Sequence, residues 1–396
     1  MSKLIFPYAT NDTVTVRQIT EYTKFGFKQG DHELLDLSLG NCGCFPLGFK
    51  EQDIIDEVSE QMAKLPFCSG EFYTTNQAVL ELGDKLYELS GGYRSVFALS
   101  GSDAIEGAIR LAQLYNRRNK FLGFTRSYHG STYMSSSVSD ATYMTDFYGK
   151  DPRCIVSDYN LDLITDELCA VVVETSSWQN GLYNPGEQFW KDLRQRCTEL
   201  NIVLIVDDIA MCGGKTGSFF GWSDTVCPDI FTMGKSFTGG YFPLSATLIN
   251  EKIYSVIKDI PFAHGFSYSF SLSGIYSTLA YLRKLEKEKL LEGVEDKKKL
   301  ADGIFNHMQA QGIIKSYNSF GLVYNLELVV EKSLTSSFEQ FLYQYGISAG
   351  MWNEGGSGLL IVVPVNADSK YFEFLNSRLT QALIDYRATT AIPDQV

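Results

Sequence analysis

Lys235 stands where a short apolar run, Ile230–Met233, meets a stretch of small and turn-forming residues: Ser236, Thr238, Gly239, Gly240 and Pro243. That order predicts a strand ending in a loop, not a helix, with the lysine presented at the junction. An amine so placed can be partly desolvated, which lowers its pKa and makes it a nucleophile toward a carbonyl carbon. Most lysines are solvated surface groups, so the residue alone decides nothing. A second apolar run upstream, Val203–Val206, ends in Asp207-Asp208-Ile209-Ala210. An acid at the carboxyl end of a buried parallel strand points into the crevice where α/β proteins bind ligands. The plainer reading of Asp207 is a helix N-cap after a strand. Taken as a pair, an amine for an aldehyde and a carboxylate that keeps a pyridine nitrogen protonated are what pyridoxal phosphate chemistry needs.

Further residues fall at equivalent places. Leu99-Ser100-Gly101-Ser102 follows a strand pattern and leads into a helix predicted to begin near Asp103. Small residues at such a turn expose backbone N–H groups and a hydroxyl to an anion, and the helix dipole adds partial positive charge. The competing reading is an Asp103 N-cap with Glu106 completing a capping box. Tyr128-His129-Gly130 follows the next strand, where an aromatic ring could stack on a flat cofactor or simply be a partly buried loop tyrosine. Glu174 ends the run Ala170–Val173 and is a second carboxylate aimed at the same crevice. His264-Gly265-Phe266-Ser267-Tyr268-Ser269 is a polar, aromatic loop ahead of a long helix pattern.

The elements that must position these groups alternate. Strands are predicted at Val96–Leu99, Phe121–Phe124, Ala170–Val173, Val203–Val206, Ile230–Met233 and Ala246–Ile249. Helices are predicted at Gln52–Leu65, Ala78–Leu89, Asp103–Arg117, Gly186–Leu200 and Leu272–Lys289. Near-continuous apolar strands alternating with helices indicate a largely parallel sheet covered on both faces. Before it, Phe6-Pro7-Tyr8 reads as extended, Glu33–Leu39 as a strand and Asn41–Pro46 as a loop. After it come a charged helix at Leu291–Met308, strands near Gly321–Leu328 and Gly358–Val363, a final helix at Ser369–Tyr386 and a loose tail over Ala388–Val396. The chain therefore divides into an N-terminal arm with part of a small domain (1–50), a large domain (51–284) and a C-terminal small domain (285–396).

With 396 residues the chain exceeds one simple core, and 44% apolar content excludes a disordered chain. Asp plus Glu number 47 against 34 Lys plus Arg, a net charge of −13, which disfavours nucleic acid and anionic membranes as partners. Eight cysteines without a CxxC pair, and only four histidines, argue against zinc. MSKLIFPYAT lacks an apolar signal core and no run reaches the length of a membrane span, so a reduced, cytoplasmic protein is expected.

The ordered set SGS, YHG, a strand ending in Glu, a strand ending in two acids and Ile, GK and HGxxYS resembles the class III aminotransferases, pyridoxal-phosphate enzymes of fold type I. The closest stretches, KSFTGGYFPLSATL (235–248) and LIVDDIA (204–210), with Pro7-Tyr8, are similar to the diaminopelargonic acid aminotransferase of biotin synthesis. The resemblance implies an α/β fold with a mostly parallel seven-stranded sheet in the large domain and a smaller α/β domain from both termini. It implies a homodimer that takes a small-molecule amine donor and a carbonyl acceptor. Lys235 would form the Schiff base and carry the proton. Asp207 would pair with the pyridine nitrogen. Ser100, Gly101 and Ser102 would hold the phosphate, joined by Ser267 across the dimer interface. Tyr128 and Ile209 would enclose the ring, and Tyr8, Asn41, Glu174 and Lys215 would face substrate.

The chain also departs from that family. GGKTG carries Lys215 where the family usually has arginine, and Asn41-Cys42 stand where the biotin enzyme has paired tryptophans. No arginine lies between about residues 320 and 377, where many members grip a substrate carboxylate with a bidentate fork. Glu174, elsewhere the partner of that arginine, would then sit unpaired and could attract a cationic group. The departures leave open a racemase, decarboxylase or lyase on the same fold, and diaminopelargonic acid aminotransferase activity.

Overall fold

Apolar runs closed off by glycines and polar turns dictate the centre of the molecule. The computed structural model describes residues 5, 18–70, 74–178, 181–223, 225–329, 336–352 and 358–390. Among these residues, seven strands form the central sheet: β1 (Arg94–Ala98), β2 (Lys120–Phe124), β3 (Cys154–Ser157), β4 (Leu168–Glu174), β5 (Val203–Asp207), β6 (Ile230–Met233) and β7 (Ser245–Ile249). Their spatial order is β1-β7-β6-β5-β4-β2-β3. β7 runs antiparallel to β1 and β6, and the remaining pairs are parallel. β4, β5 and β6 are buried along their whole length, as their uninterrupted apolar sequences require of strands covered on both faces.

Register sets the site. Glu174 pairs with Asp207, and Asp207 with Thr232. Paired residues on neighbouring parallel strands project to the same side, so these three side chains form one row at the carboxyl edge. Asp208, one residue on, turns to the opposite side.

The predicted helices are present at Gln52–Lys64, Gln77–Leu89, Gly101–Asn116, Glu187–Glu199 and Leu272–Lys287. The third starts two residues ahead of the sequence expectation. Its N-cap is Ser100, whose hydroxyl accepts from Asp103 N at 3.3 Å, so Asp103 is not the cap. Glu106, free of any capping-box duty, accepts instead from Met134 N at 2.9 Å.

Two smaller sheets flank the centre. In one, Gly26–Gln29 pairs with His32–Asp36, and Ile347–Ser348 adds in parallel, so segments from near both ends share a sheet. In the other, Ile314–Phe320, Val323–Leu328, Gly358–Val362 and Gly350–Trp352 pair antiparallel in that order. The strand expected over Glu33–Leu39 stops at Asp36. Its carboxylate accepts from Ser38 N (2.9 Å), Ser38 Oγ (2.7 Å) and Gly40 N (2.8 Å), and the backbone turns left-handed at Leu39. The loop expected from Asn41 begins as a π-helical turn, Leu39–Gly43. The last helix runs in three pieces, Ser369–Phe374, a π turn Leu375–Leu379 and Thr380–Thr390, so Ala388 is helical and not the start of a tail. No helix among the described residues is long and apolar enough to cross a membrane.

Candidate active site

β6 delivers Lys235 at the sheet's carboxyl edge. The chain then closes into a single 3₁₀ turn, Lys235–Thr238, where the sequence suggested an open loop. Lys235 takes a left-handed backbone, φ 47°. For a residue with a Cβ this costs about 1–2 kcal/mol, so neighbouring contacts must hold it. Its Nζ lies 5.4 Å from the centroid of the buried Trp178 ring.

Asp207 ends β5 with its carboxylate buried at the same edge. Oδ2 lies 2.8 Å from His129 Nδ1; Oδ1 accepts from Ile209 N at 3.1 Å and from Thr232 Oγ1 at 3.4 Å. The bonds from its own turn and from Thr232 of β6 keep the carboxylate from swinging away, and one imidazole meets it from the β2 loop. His129 is fully buried on its side chain, and its Nε2 has no hydrogen-bond partner among the described residues. His129 was missed as a functional residue in the sequence; its adjacency to Tyr128 in YHG was the available signal.

Tyr128 and His129 join the strand ends. While His129 meets Asp207, the backbone N–H of Tyr128 donates to Glu174 Oε1 at 2.8 Å. Trp178 N donates to Glu174 Oε2 at 3.2 Å. Both oxygens thus accept backbone N–H groups, and no lysine or arginine forms an ion pair with Glu174 among the described residues. Burial pushes its carboxyl up to about 7, opposed by His129 and the two N–H groups. On the other side of the sheet edge, burial raises Asp208 likewise to about 7, and it accepts from Thr175 Oγ1 (2.7 Å) and Gly221 N (2.8 Å).

Gly101 and Ser102 occupy the first two helical positions after Ser100, where N–H groups have no acceptor within the helix. Ser102 Oγ accepts from Ser131 N at 3.1 Å and keeps its own proton to donate. Ile209 lies over this turn: a Cβ on Gly101 would come within 2.7 Å of Ile209 Cδ1. Gly130, at φ 126°, passes so near that a Cβ would strike Ser102 Oγ at 2.3 Å.

Ser267 is exposed, in a loop beside the helix Gly101–Asn116, anchored there by Arg110 Nη1 to Ala263 O at 3.4 Å. Lys215 is brought elsewhere than the sequence suggested. Its side chain is fully buried in the core and donates to Ser236 Oγ. Tyr8 and the side chain of Asn41 lie outside the described residues, as does Arg17, the arginine of the N-terminal arm that is the rival candidate for the missing carboxylate clamp.

A family model described as aminotransferase class-III matches residues 25–365. The chain belongs to the class III aminotransferases. Among similar proteins, the acetylornithine/succinyldiaminopimelate aminotransferase of Buchnera aphidicola subsp. Schizaphis graminum is 32% identical over 326 residues, 76% of this chain and 78% of the relative. The taurine:2-oxoglutarate aminotransferase of Bifidobacterium kashiwanohense, solved with PLP and glutamate, superposes with a TM-score of 0.89 at 20% identity, covering 98% of this chain and 97% of that one. The adenosylmethionine-8-amino-7-oxononanoate aminotransferase of Methanocaldococcus jannaschii gives 0.86 at 21%, covering 97% of each. At those identities the two structures establish the fold.

The protein is thus a pyridoxal-phosphate-dependent transaminase that moves an amino group from an amine or amino-acid donor to a keto or aldehyde acceptor. The residues on the edge fit the cofactor. Unused N–H groups and a hydroxyl at a helix start suit a phosphate, and Asp207 offers a buried carboxylate to a protonated ring nitrogen. Nothing in the site favours racemase, decarboxylase or lyase chemistry over amino transfer.

Proposed function

We propose that Lys235 and Asp207 carry the chemistry and that an amine-bearing molecule is one substrate, with 2-oxoglutarate a poor acceptor. When bound, pyridoxal phosphate supplies an aldehyde and a ring that accepts electrons. Lys235 Nζ would hold the cofactor through its aldehyde and, as a free amine, would take and return the proton at the substrate carbon. Asp207, steadied by Ile209 N, Thr232 and His129, retains the proton on the ring nitrogen. Gly101 and Ser102 bind the phosphate through N–H groups, with Ser100 capping the helix that presents them. Tyr128 and Ile209 would enclose the ring. The large domain (51–284) supplies these groups; the segments 1–50 and 285–396 supply the substrate side, with Tyr8 and Asn41 toward the pocket.

The observation that carries the substrate reading is the want of an arginine fork at the clamp position. The stretch 320–377 contains no arginine, and Lys215 is spent inside the core on Ser236. A carboxylate buried without a paired cation is costly, so such a pocket does not select strongly for a dicarboxylate. Glu174, facing the same edge without an ion-pair partner among the described residues, suits a cationic group. The name of the Buchnera relative gives acetylornithine and succinyldiaminopimelate, both amine-bearing molecules, as what that protein acts on. The diaminopelargonic acid reaction stands behind it, supported by the stretches 204–210 and 235–248 and by a likeness of fold.

Steady-state comparison of 2-oxoglutarate with neutral keto and aldehyde acceptors tests the reading. The neutral acceptors are expected to give kcat/KM at least about tenfold higher. A strong preference for 2-oxoglutarate that disappears in Arg17→Ala would show that the arm supplies the clamp and would sink it.

We also propose a homodimer in which the partner's Ser267 reaches the phosphate. Ser267 is exposed on its own chain, and Tyr268 nearby and Phe147 and Tyr148 of another segment leave large rings exposed as well. Sedimentation of the active enzyme should give a dimer, and Ser267→Ala should weaken cofactor affinity. A fully active monomer would contradict both.

A further inference from the structure

Lys215 is among the largest fully buried side chains, and no carboxylate pairs with it among the described residues. Its Nζ donates to Ser236 Oγ, and Ser236 Oγ in turn donates to Cys212 O at 2.8 Å. Ser236 is thereby fixed from two directions, and it directly follows Lys235. The space around it is closed: a Cβ on Gly213 would fall 2.6 Å from Ser236 O and 2.7 Å from Ser236 Oγ. The far side of the same turn is held by Ser277 Oγ on Thr238 O at 2.7 Å.

The rest of Lys215 touches the substrate side. Its Cδ lies 3.5 Å from where a Cβ on Gly43 would be, so its stem passes the turn Leu39–Gly43 that carries Asn41. Its carbonyl accepts from Leu322 N at 2.8 Å, in the hairpin of the flanking sheet. One buried side chain therefore spans from the small-sheet segments to the residue next to Lys235.

We propose that Lys215 is a positioning residue for the reaction: through Ser236 it holds the left-handed backbone that aims Lys235, and it does not meet the substrate. The inference rests on the reading of Lys235 as the cofactor-bearing lysine. A left-handed lysine needs contacts that over-determine it, and the Lys215–Ser236–Cys212 chain is a set of such contacts. Burial holds the Lys215 ammonium below the usual lysine range; Cys212, Cys44 and Asp208 oppose that, and Lys235 adds to it.

The test compares wild type, Lys215→Met, Ser236→Ala and the double variant, each loaded with pyridoxal phosphate. The primary readout is the pH midpoint of the bound cofactor's visible absorbance without substrate. Each single variant should shift it by about one pH unit, with kcat down about tenfold. The double variant should be no worse than the more affected single, because both remove one chain of contacts. The ratio of KM for 2-oxoglutarate to KM for a neutral aldehyde should not move. An unmoved midpoint in Lys215→Met, additive effects, or a rise of KM confined to 2-oxoglutarate would overturn the proposal. Where Lys215→Met fails to fold, Ser236→Ala with Lys215 intact must show the shift, and its absence is equally fatal. Borohydride fixation followed by peptide mapping of the wild type separates the two levels: label away from Lys235 removes the underlying reading, whereas label on Lys235 with unmoved midpoints removes this inference alone.

Discussion

Lys235→Ala is expected to abolish transamination, with kcat lower by at least about 10⁴-fold, and to end borohydride fixation of the cofactor to the protein. The reason is positional. Lys235 is the amine presented at the sheet edge, in the row of strand ends that also holds Glu174 and Asp207. The rival inside the same region is Lys215, and it is enclosed in the core against Ser236 and Gly43. It cannot reach an aldehyde without dismantling those contacts. Stability should change little, because alanine meets the same left-handed backbone that lysine does. Mass mapping after reduction decides the matter: pyridoxyl label on Lys215, or on any other lysine of the variant, would refute the assignment.

Asp207→Asn should fold, bind cofactor and lose about 10³-fold in kcat. An amide can still accept from Ile209 N and Thr232 Oγ1, so the local turn survives. It cannot balance the charge of a protonated ring nitrogen, and the electron-accepting power of the ring falls with that proton. The His129 contact changes at the same time, since Nδ1 now faces either an amide oxygen or an amide NH₂. Loss should fall on the chemical step and leave donor KM within a few-fold. Single-turnover absorbance changes with an amino donor measure that step directly, and a variant with wild-type turnover would contradict the role given to Asp207.

The sheet was legible because its strands are buried on both faces, which writes them as unbroken apolar runs; Ile230–Met233 is the same in sequence and structure. Strand ends were legible for the same reason, since each run stops at a charged or small residue. What escaped was anything decided by a distant partner. β3, CIVS, is a short edge strand with Ile155 exposed, and Ile314–Phe320 is written IKSYNSF, polar enough to pass for a loop until Val323–Leu328 pairs with it. His129 escaped because its pairing with Asp207 depends on β2 and β5 being brought near by β4 between them. Lys215 was misplaced toward substrate because sequence alone cannot tell a lysine facing a pocket from one folded inward, and the deciding contact, Ser236, lies on another segment.

The position of β7 bears on how the enzyme is made. β1 and β6, which present Ser100 and Lys235, are not neighbours; Ser245–Ile249 lies between them, with Ser245 Oγ on Ser100 O and Thr247 Oγ1 on Ala104 O, each at 2.7 Å. The Ser100 turn and the strand that ends before Lys235 are therefore bridged in the sheet by a strand made after both. During synthesis, a chain that has emerged only as far as Lys235 carries the proposed catalytic groups but lacks the strand that bridges them. Cofactor capture is therefore expected to follow closure of this pairing, the longest-range one in the sheet, so that a shortage of cofactor would act on a chain whose sheet is already complete.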